Sequence, residues 1–217
     1  MGWLADDEFV ELGDAGMGLP LVARMAIAHS HFEAVHLFPD GNGRVGRMIM
    51  TLQMDCHGKL PIYLSGYIEA EKQEYSRALQ HSQKKLNYGP IVELVAQGLI
   101  ASAREAEKIR DLIICLPDKW RARGEFRGKS AAERALKWLV ANPIFTVGQL
   151  GKALCVSPPA ANRAVEQLLN ARVVRERTGK RWSRVFAAEE VVELLSKRFG
   201  DDPALALQRA QDLLKVK

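Results

Sequence analysis

Twelve residues near the start of this chain carry the side chains for chemistry at phosphorus. In the run His36-Leu37-Phe38-Pro39-Asp40-Gly41-Asn42-Gly43-Arg44-Val45-Gly46-Arg47, two glycines flank Asn42. Glycine admits backbone conformations that a Cβ forbids, so successive N–H groups can point into one concavity. A helix is expected directly afterwards, and its N-terminus adds a positive dipole, making an anion nest suited to a phosphate. Arg44 and Arg47 are three apart and share one side of that helix. Their forked guanidinium groups match phosphate oxygens. Asp40 stands at the loop mouth. A carboxylate beside phosphates calls for a divalent cation between them, and Mg²⁺ is the usual one. His36, four residues upstream, is the natural proton acceptor near neutral pH. Base, metal ligand, nest and two arginines are a kit for displacement at phosphorus, where positioning and charge stabilisation do most of the catalysis.

The elements that must position this loop are helical. Leu21 to Val35 has apolar residues at helical spacing with an unusually apolar surround, so it reads as a central helix. Val45 to Cys56 resumes the pattern after Pro39, Gly41 and Gly43. Ile68 to Leu86 is expected as one helix, with Glu69, Glu71 and Glu74 near its start, where the dipole favours acids. Asn87-Tyr88-Gly89-Pro90 stops it, and Ile91 to Leu116 is a long helix ended before Pro117. The stretch Arg121 to Lys129 is polar and holds Gly124 and Gly128, as a linker would. Helices are expected over Ala131 to Asn142, Val147 to Leu154 (capped by Thr146) and from Ser157-Pro158 to about Ala171. Alternating segments at Val173 to Arg177 and Ser183 to Phe186 flank the turn Thr178-Gly179-Lys180. Three helices and a hairpin are the layout of a winged helix-turn-helix.

Apolar residues make up 47% of the 217 residues and charged residues 26%, which excludes disordered and low-complexity classes. Cys56, Cys115 and Cys155 are scattered and form no CxxC pair, which argues against a disulfide framework or a Cys-rich zinc site and for buried reduced thiols in a cytoplasmic protein. The first residues hold three acids and no basic region, unlike a signal peptide. No stretch reaches the roughly 18 apolar residues of a membrane helix, so no membrane partner is expected. The net charge of +5 is uneven: Arg121 to Arg184 holds 14 Lys and Arg against four acids. A basic C-terminal half and an acidic N-terminal half suggest two modules with different partners.

The loop resembles the signature of the Fic (Fic/Doc) family, His-x-Phe-x-(Asp/Glu)-Gly-Asn-Gly-Arg-x-x-Arg, at every fixed position. His29 to Val35, Tyr63-Leu64-Ser65 and Glu74-Tyr75 also look like family segments. The resemblance implies a mainly α protein: an all-helical Fic domain over residues 1–118, a linker at 119–129, a small winged helix-turn-helix domain with a β-hairpin wing over 130–200, and a C-terminal helical tail at 201–217. It implies protein adenylyltransfer (AMPylation), with AMP passing from ATP to a Ser, Thr or Tyr hydroxyl of a target protein, the chain itself included. His36 would be the catalytic base and Phe38 would point into the core. Asp40 would be the ligand of Mg²⁺. Gly41, Asn42 and Gly43 would form the anion hole, with Asn42 on the α-phosphate, and Arg44 and Arg47 would hold the β- and γ-phosphates. The family's kinase-like branch has Lys where Gly43 stands, so AMP transfer is expected here.

Some positions depart from the family pattern. Leu37 replaces a common proline, and Ser76 stands where a second tyrosine often follows Tyr75, at the adenine contacts. Only 35 residues precede His36, with no signal for the hairpin flap that docks the target or for an inhibitory glutamate helix, so a truncated member or a late start codon is expected. Trp3-Leu4-Ala5-Asp6 looks like the segment that follows the flap.

Other candidates read more plainly. His29 and His31 are two apart and point to different faces, so they are packing or surface residues. His57 and His81 read as surface residues, and Met25, Met48, Met50 and Met54 as core filler. Candidate DNA contacts are Asn162 and Arg163 on the third helix, Lys180, Arg181 and Arg184 on the wing, and Arg175 and Arg177 on one strand. The alternative to the enzyme is therefore a catalytically impaired Fic scaffold that regulates transcription by binding DNA. The oligomeric state is open, a homodimer included.

Overall fold

A computed structural model describes residues 18–179 and 183–215. The chain divides into two compact units, Met1–Ala106 and Glu107–Lys217. Among the described residues it is mainly helical, with one small sheet, the class expected from the sequence.

The first unit is built from α1 (Leu21–Val35), α2 (Asn42–Cys56), α3 (Ser65–Ala70), α4 (Lys72–Lys85) and the opening turns of α5 (Gly89–Arg121). Helix α1 packs on α2 and α4. Their core holds Met25, Ala26, Met50, Met54, Leu64, Ile68, Ala78, Ile91, Leu94 and Val95. Each large side chain of this set contributes about 1.5–3 kcal/mol by leaving water. Met25, Met50 and Met54 lie in this core, as expected, whereas Met48 is 58% exposed.

Several boundaries differ from the periodicity. Helix α2 begins at Asn42, three residues before the apolar pattern, because Gly41 turns the chain at φ +86° and Arg44 N–H already donates to Gly41 O at 3.0 Å. The helix expected over Ile68 to Leu86 is two helices, broken at Glu71, whose φ of −101° and ψ of 32° end α3 and start α4. Periodicity does not register a one-residue break when the apolar spacing on both sides stays compatible.

Helix α5 does not stop before Pro117; it continues to Arg121. Proline in a helix costs about 3 kcal/mol. Trp120, fully buried, lies beyond it, and its indole N–H donates to Glu190 Oε2 at 2.6 Å. Burying an indole of roughly 200 Å² at about 25 cal/mol per Å² exceeds that cost.

The second unit takes the end of α5 and adds α6 (Ala131–Ala141), β1 (Ile144–Thr146), α7 (Val147–Leu154), α8 (Pro158–Asn170), β2 (Arg175–Glu176), β3 (Val185–Ala187), α9 (Glu189–Ser196) and α10 (Pro203–Lys215). Ser130 caps α6, its side chain accepting from Glu133 N–H, and Thr146 with Gln149 forms a capping box on α7. The sheet order is β1-β3-β2, antiparallel throughout, with Phe145 paired to Phe186. The two expected hairpin segments are present as shorter strands. Strand β1, three residues long, carries no signal that periodicity can read. Leu136, Leu139, Leu150, Leu168 and Leu194 complete a core around these phenylalanines and Trp120.

Candidate active site

The loop is the link between α1 and α2. Its first residue, His36, ends α1 in the left-handed region at φ 52°, and its N–H donates to Phe32 O. His36 is exposed. Asn42, only 3% exposed, braces the loop from inside. Its Oδ1 accepts from Phe38 N–H at 2.9 Å and its Nδ2 donates to Phe38 O at 2.6 Å. Both ends of the amide are thus engaged by one residue's backbone.

Phe38 does not point into the core, as the resemblance implied. It is 44% exposed and lies against the buried Phe32 with ring centroids 6.3 Å apart. The link between α1 and α2 is six residues long, and Phe38 sits in its middle; the Asn42 amide, not burial of Phe38, secures the loop.

Asp40 Oδ1 accepts from Gly41 N–H at 2.7 Å, and Oδ2 lies 3.5 Å from Arg44 Nη2, both side chains being exposed. Such a surface pair is worth at most about 1 kcal/mol, so both groups exchange readily onto a ligand. Arg47 Nε donates to Ser65 Oγ at 3.2 Å. Its Nη1 stands 3.1 Å from the place a Cβ on Gly43 would take. Gly41, Asn42, Gly43, Arg44, Arg47 and Asp40 therefore share one loop and the first turns of one helix, with His36 at the loop's other end.

A buried polar layer lies beneath. His29 is fully buried, its Nε2 bonded to the Tyr75 hydroxyl at 2.8 Å. Burial pushes its pKa down to about 4, so the ring is neutral at neutral pH. Burial pushes the Tyr75 phenol up. Burial also raises the Glu33 carboxyl, against the pull of Arg47 and His36. Glu33 Oε1 is buried and makes no hydrogen bond among the described residues, while His29 Nδ1 is buried against Gly46. His29 and Glu33 are four apart on α1, one turn before His36. Sequence reasoning passed over Glu33 and left Ser65 without a role; the i, i+4 spacing of His29 and Glu33 on one helix face was the available signal.

The donor set bears on a metal. Among the described residues no group of three or more His, Cys, Asp or Glu can hold an ion. A single carboxylate is nonetheless how Mg²⁺ is commonly held when phosphates supply further oxygens, so Asp40 fits an ion that arrives with a phosphate ligand.

In the second unit the strand arginines are already paired. Arg175 and Arg177 both bond the fully buried Glu189, the closer at 2.6 Å. Arg184 bonds Glu176 at 2.6 Å and lies over the Phe186 ring. Asn162 Nδ2 donates to Pro158 O, and Arg163 is exposed. Lys180 and Arg181 lie outside the described residues, as does Trp3-Leu4-Ala5-Asp6. The three cysteines are free, as expected, but exposed rather than buried. His57 and His81 are half-buried rather than on the surface, and His57 Nε2 is bonded to Arg24. No helix of the described residues is long and apolar enough to cross a membrane.

Comparison with known proteins agrees with the loop. Residues 6–54 match the Fic/DOC family. A probable protein adenylyltransferase of Aquifex aeolicus (strain VF5) is 30% identical over 103 residues, which are 44% of this chain and 29% of the relative. The aligned part thus spans less than a third of that relative's length. With the signature pattern complete from His36 to Arg47 and the match running on through Met54 in α2, the N-terminal part of this chain is similar to the Fic/DOC family.

Proposed function

We propose that the chain is a protein adenylyltransferase that moves AMP from ATP to a hydroxyl side chain of a protein. The observation that supports this most is that the exposed His36 opens a six-residue link whose other end, at Gly41, starts the helix that carries Arg44 and Arg47. His36 takes the proton of the target hydroxyl as its oxygen attacks the α-phosphorus. The bond from the α-phosphorus to the bridging oxygen breaks, and pyrophosphate leaves. The N–H groups at the start of α2 receive charge that develops on the α-phosphate oxygens. Arg44 and Arg47 hold the terminal phosphates. Asp40 would hold Mg²⁺, which neutralises phosphate charge when bound. The relative's name, covering a protein more than three times as long as the aligned part, is support for the class and not for a target.

Incubation with labelled ATP and Mg²⁺ is expected to label a protein, and His36→Ala to abolish the label. Labelling that survives His36→Ala sinks the proposed base. A DNA-binding role for the second unit has less support, because Arg175, Arg177 and Arg184 are engaged by carboxylates. Salt-sensitive DNA binding lost in Arg181→Glu with Arg184→Glu would revive it.

A further inference from the structure

Arg47 is held from outside the signature. Its Nε donates to Ser65 Oγ at 3.2 Å, a contact reaching 18 residues along the chain. Ser65 opens α3, and that segment is anchored by Leu64, 3% exposed, and Ile68, 5% exposed. The hydroxyl is therefore presented from a fixed element. The bond engages Nε–H and leaves the Nη groups for a ligand. Nη1 lies 3.1 Å from the place of a Cβ on Gly43, so the head of Arg47 rests over the first turn of α2, where the nest begins. Gly43 has no left-handed backbone to favour glycine; a side chain there would meet the guanidinium.

We propose that Ser65 is a positioning residue that holds Arg47 over Gly43, so that its guanidinium is aimed before a phosphate arrives. The proposal rests on the nucleotide reading of the loop. An arginine that is free to sample rotamers loses that freedom on binding; one already tethered loses less, and affinity gains the difference. The tether acts only on groups Arg47 touches. If Arg47 holds the terminal phosphates, ATP and ADP feel Ser65 and AMP does not.

The test uses the full chain, Ser65→Ala and Ser65→Thr. Binding of ATP, ADP and AMP, each with Mg²⁺, is measured by calorimetry. In the free protein, exchange of the Arg47 Nε–H with water is followed by NMR, the signal assigned with Arg47→Lys. Ser65→Ala is expected to weaken ATP and ADP roughly threefold to tenfold, the loss of one hydrogen bond. AMP affinity stays unchanged, Nε–H exchange speeds up, and Ser65→Thr, which keeps the hydroxyl, matches the parent. Unchanged ATP affinity in Ser65→Ala overturns the proposal, as does an equal loss for AMP, which marks general loosening. Faster Nε–H exchange in Ser65→Ala with a parent protein that binds no nucleotide leaves the tether standing and removes the nucleotide reading instead.

Discussion

The imidazole of His29 stands against Gly46: its Nδ1 is 2.9 Å from where a β-carbon on that glycine would be. Glu33 Oε1 is 2.7 Å from the same point. Gly46 is an x position in the signature, yet here it is the place where α1 and α2 approach through two buried polar side chains.

Gly46→Ala is therefore expected to destabilise the chain, by about 1–3 kcal/mol, because buried groups must shift. Gly148, in α7, has nothing within 4 Å of a built β-carbon. Gly148→Ala should be neutral or stabilising by up to about 1 kcal/mol, from helix propensity. Urea unfolding of both variants checks the contrast. A Gly46→Ala protein as stable as the parent contradicts the close approach.

His29 makes stability depend on pH. Its folded pKa of about 4 lies below the ordinary histidine value, so between the two the unfolded chain binds more protons. Stability is then full above about pH 6.5 and falls as pH drops toward 4, by roughly 2–4 kcal/mol for this one group. Glu33, raised by burial, contributes with the opposite sign just above the usual carboxylate range. Unfolding free energy measured from pH 7 to pH 4 should fall, and His29→Gln should flatten the fall. An equal slope in both proteins refutes the assignment.

Asn42→Ala removes the amide that bonds both backbone groups of Phe38. It is expected to cost about 1–3 kcal/mol, since buried partners lose their bonds. Arg44→Ala breaks only an exposed pair and should leave stability within about 0.5 kcal/mol while weakening nucleotide binding. Thermal melts paired with ATP titration separate the two; equal melting temperatures for Asn42→Ala and the parent would show the brace to be idle.

Glu189 is fully buried with two arginines on its carboxylate. Glu189→Ala leaves both cations without that partner and is expected to cost about 1–3 kcal/mol, because the guanidinium groups are about a third exposed and water takes part of the partner's place. Chemical denaturation of the second unit's transition, read by Trp120 and Trp138 fluorescence, reports the loss.

Much of this protein is legible in its sequence. The helices at Leu21–Val35 and Val147–Leu154 lie where spacing and the Thr146 cap place them. The loop chemistry is likewise local: two glycines, a proton acceptor, a carboxylate and two arginines within twelve residues need no distant partner to be read. Local information ends where packing decides. Pro117 should stop a helix, and burial of Trp120 carries it onward. Phe38, which the family resemblance implied would point into the core, lies 44% exposed in the short link between α1 and α2. The basic strand arginines read as a surface for phosphate and instead face Glu189 and Glu176, since opposite charges distant in sequence find each other only in three dimensions. The sequence by itself determined the helical class and the grouping of the candidate residues on one short stretch, both being matters of residue type and short spacing. Only the tertiary structure decided what holds that site. Tyr75 on His29, Ser65 on Arg47 and Glu33 beside Gly46 are contacts between separate helices, set by how those helices pack.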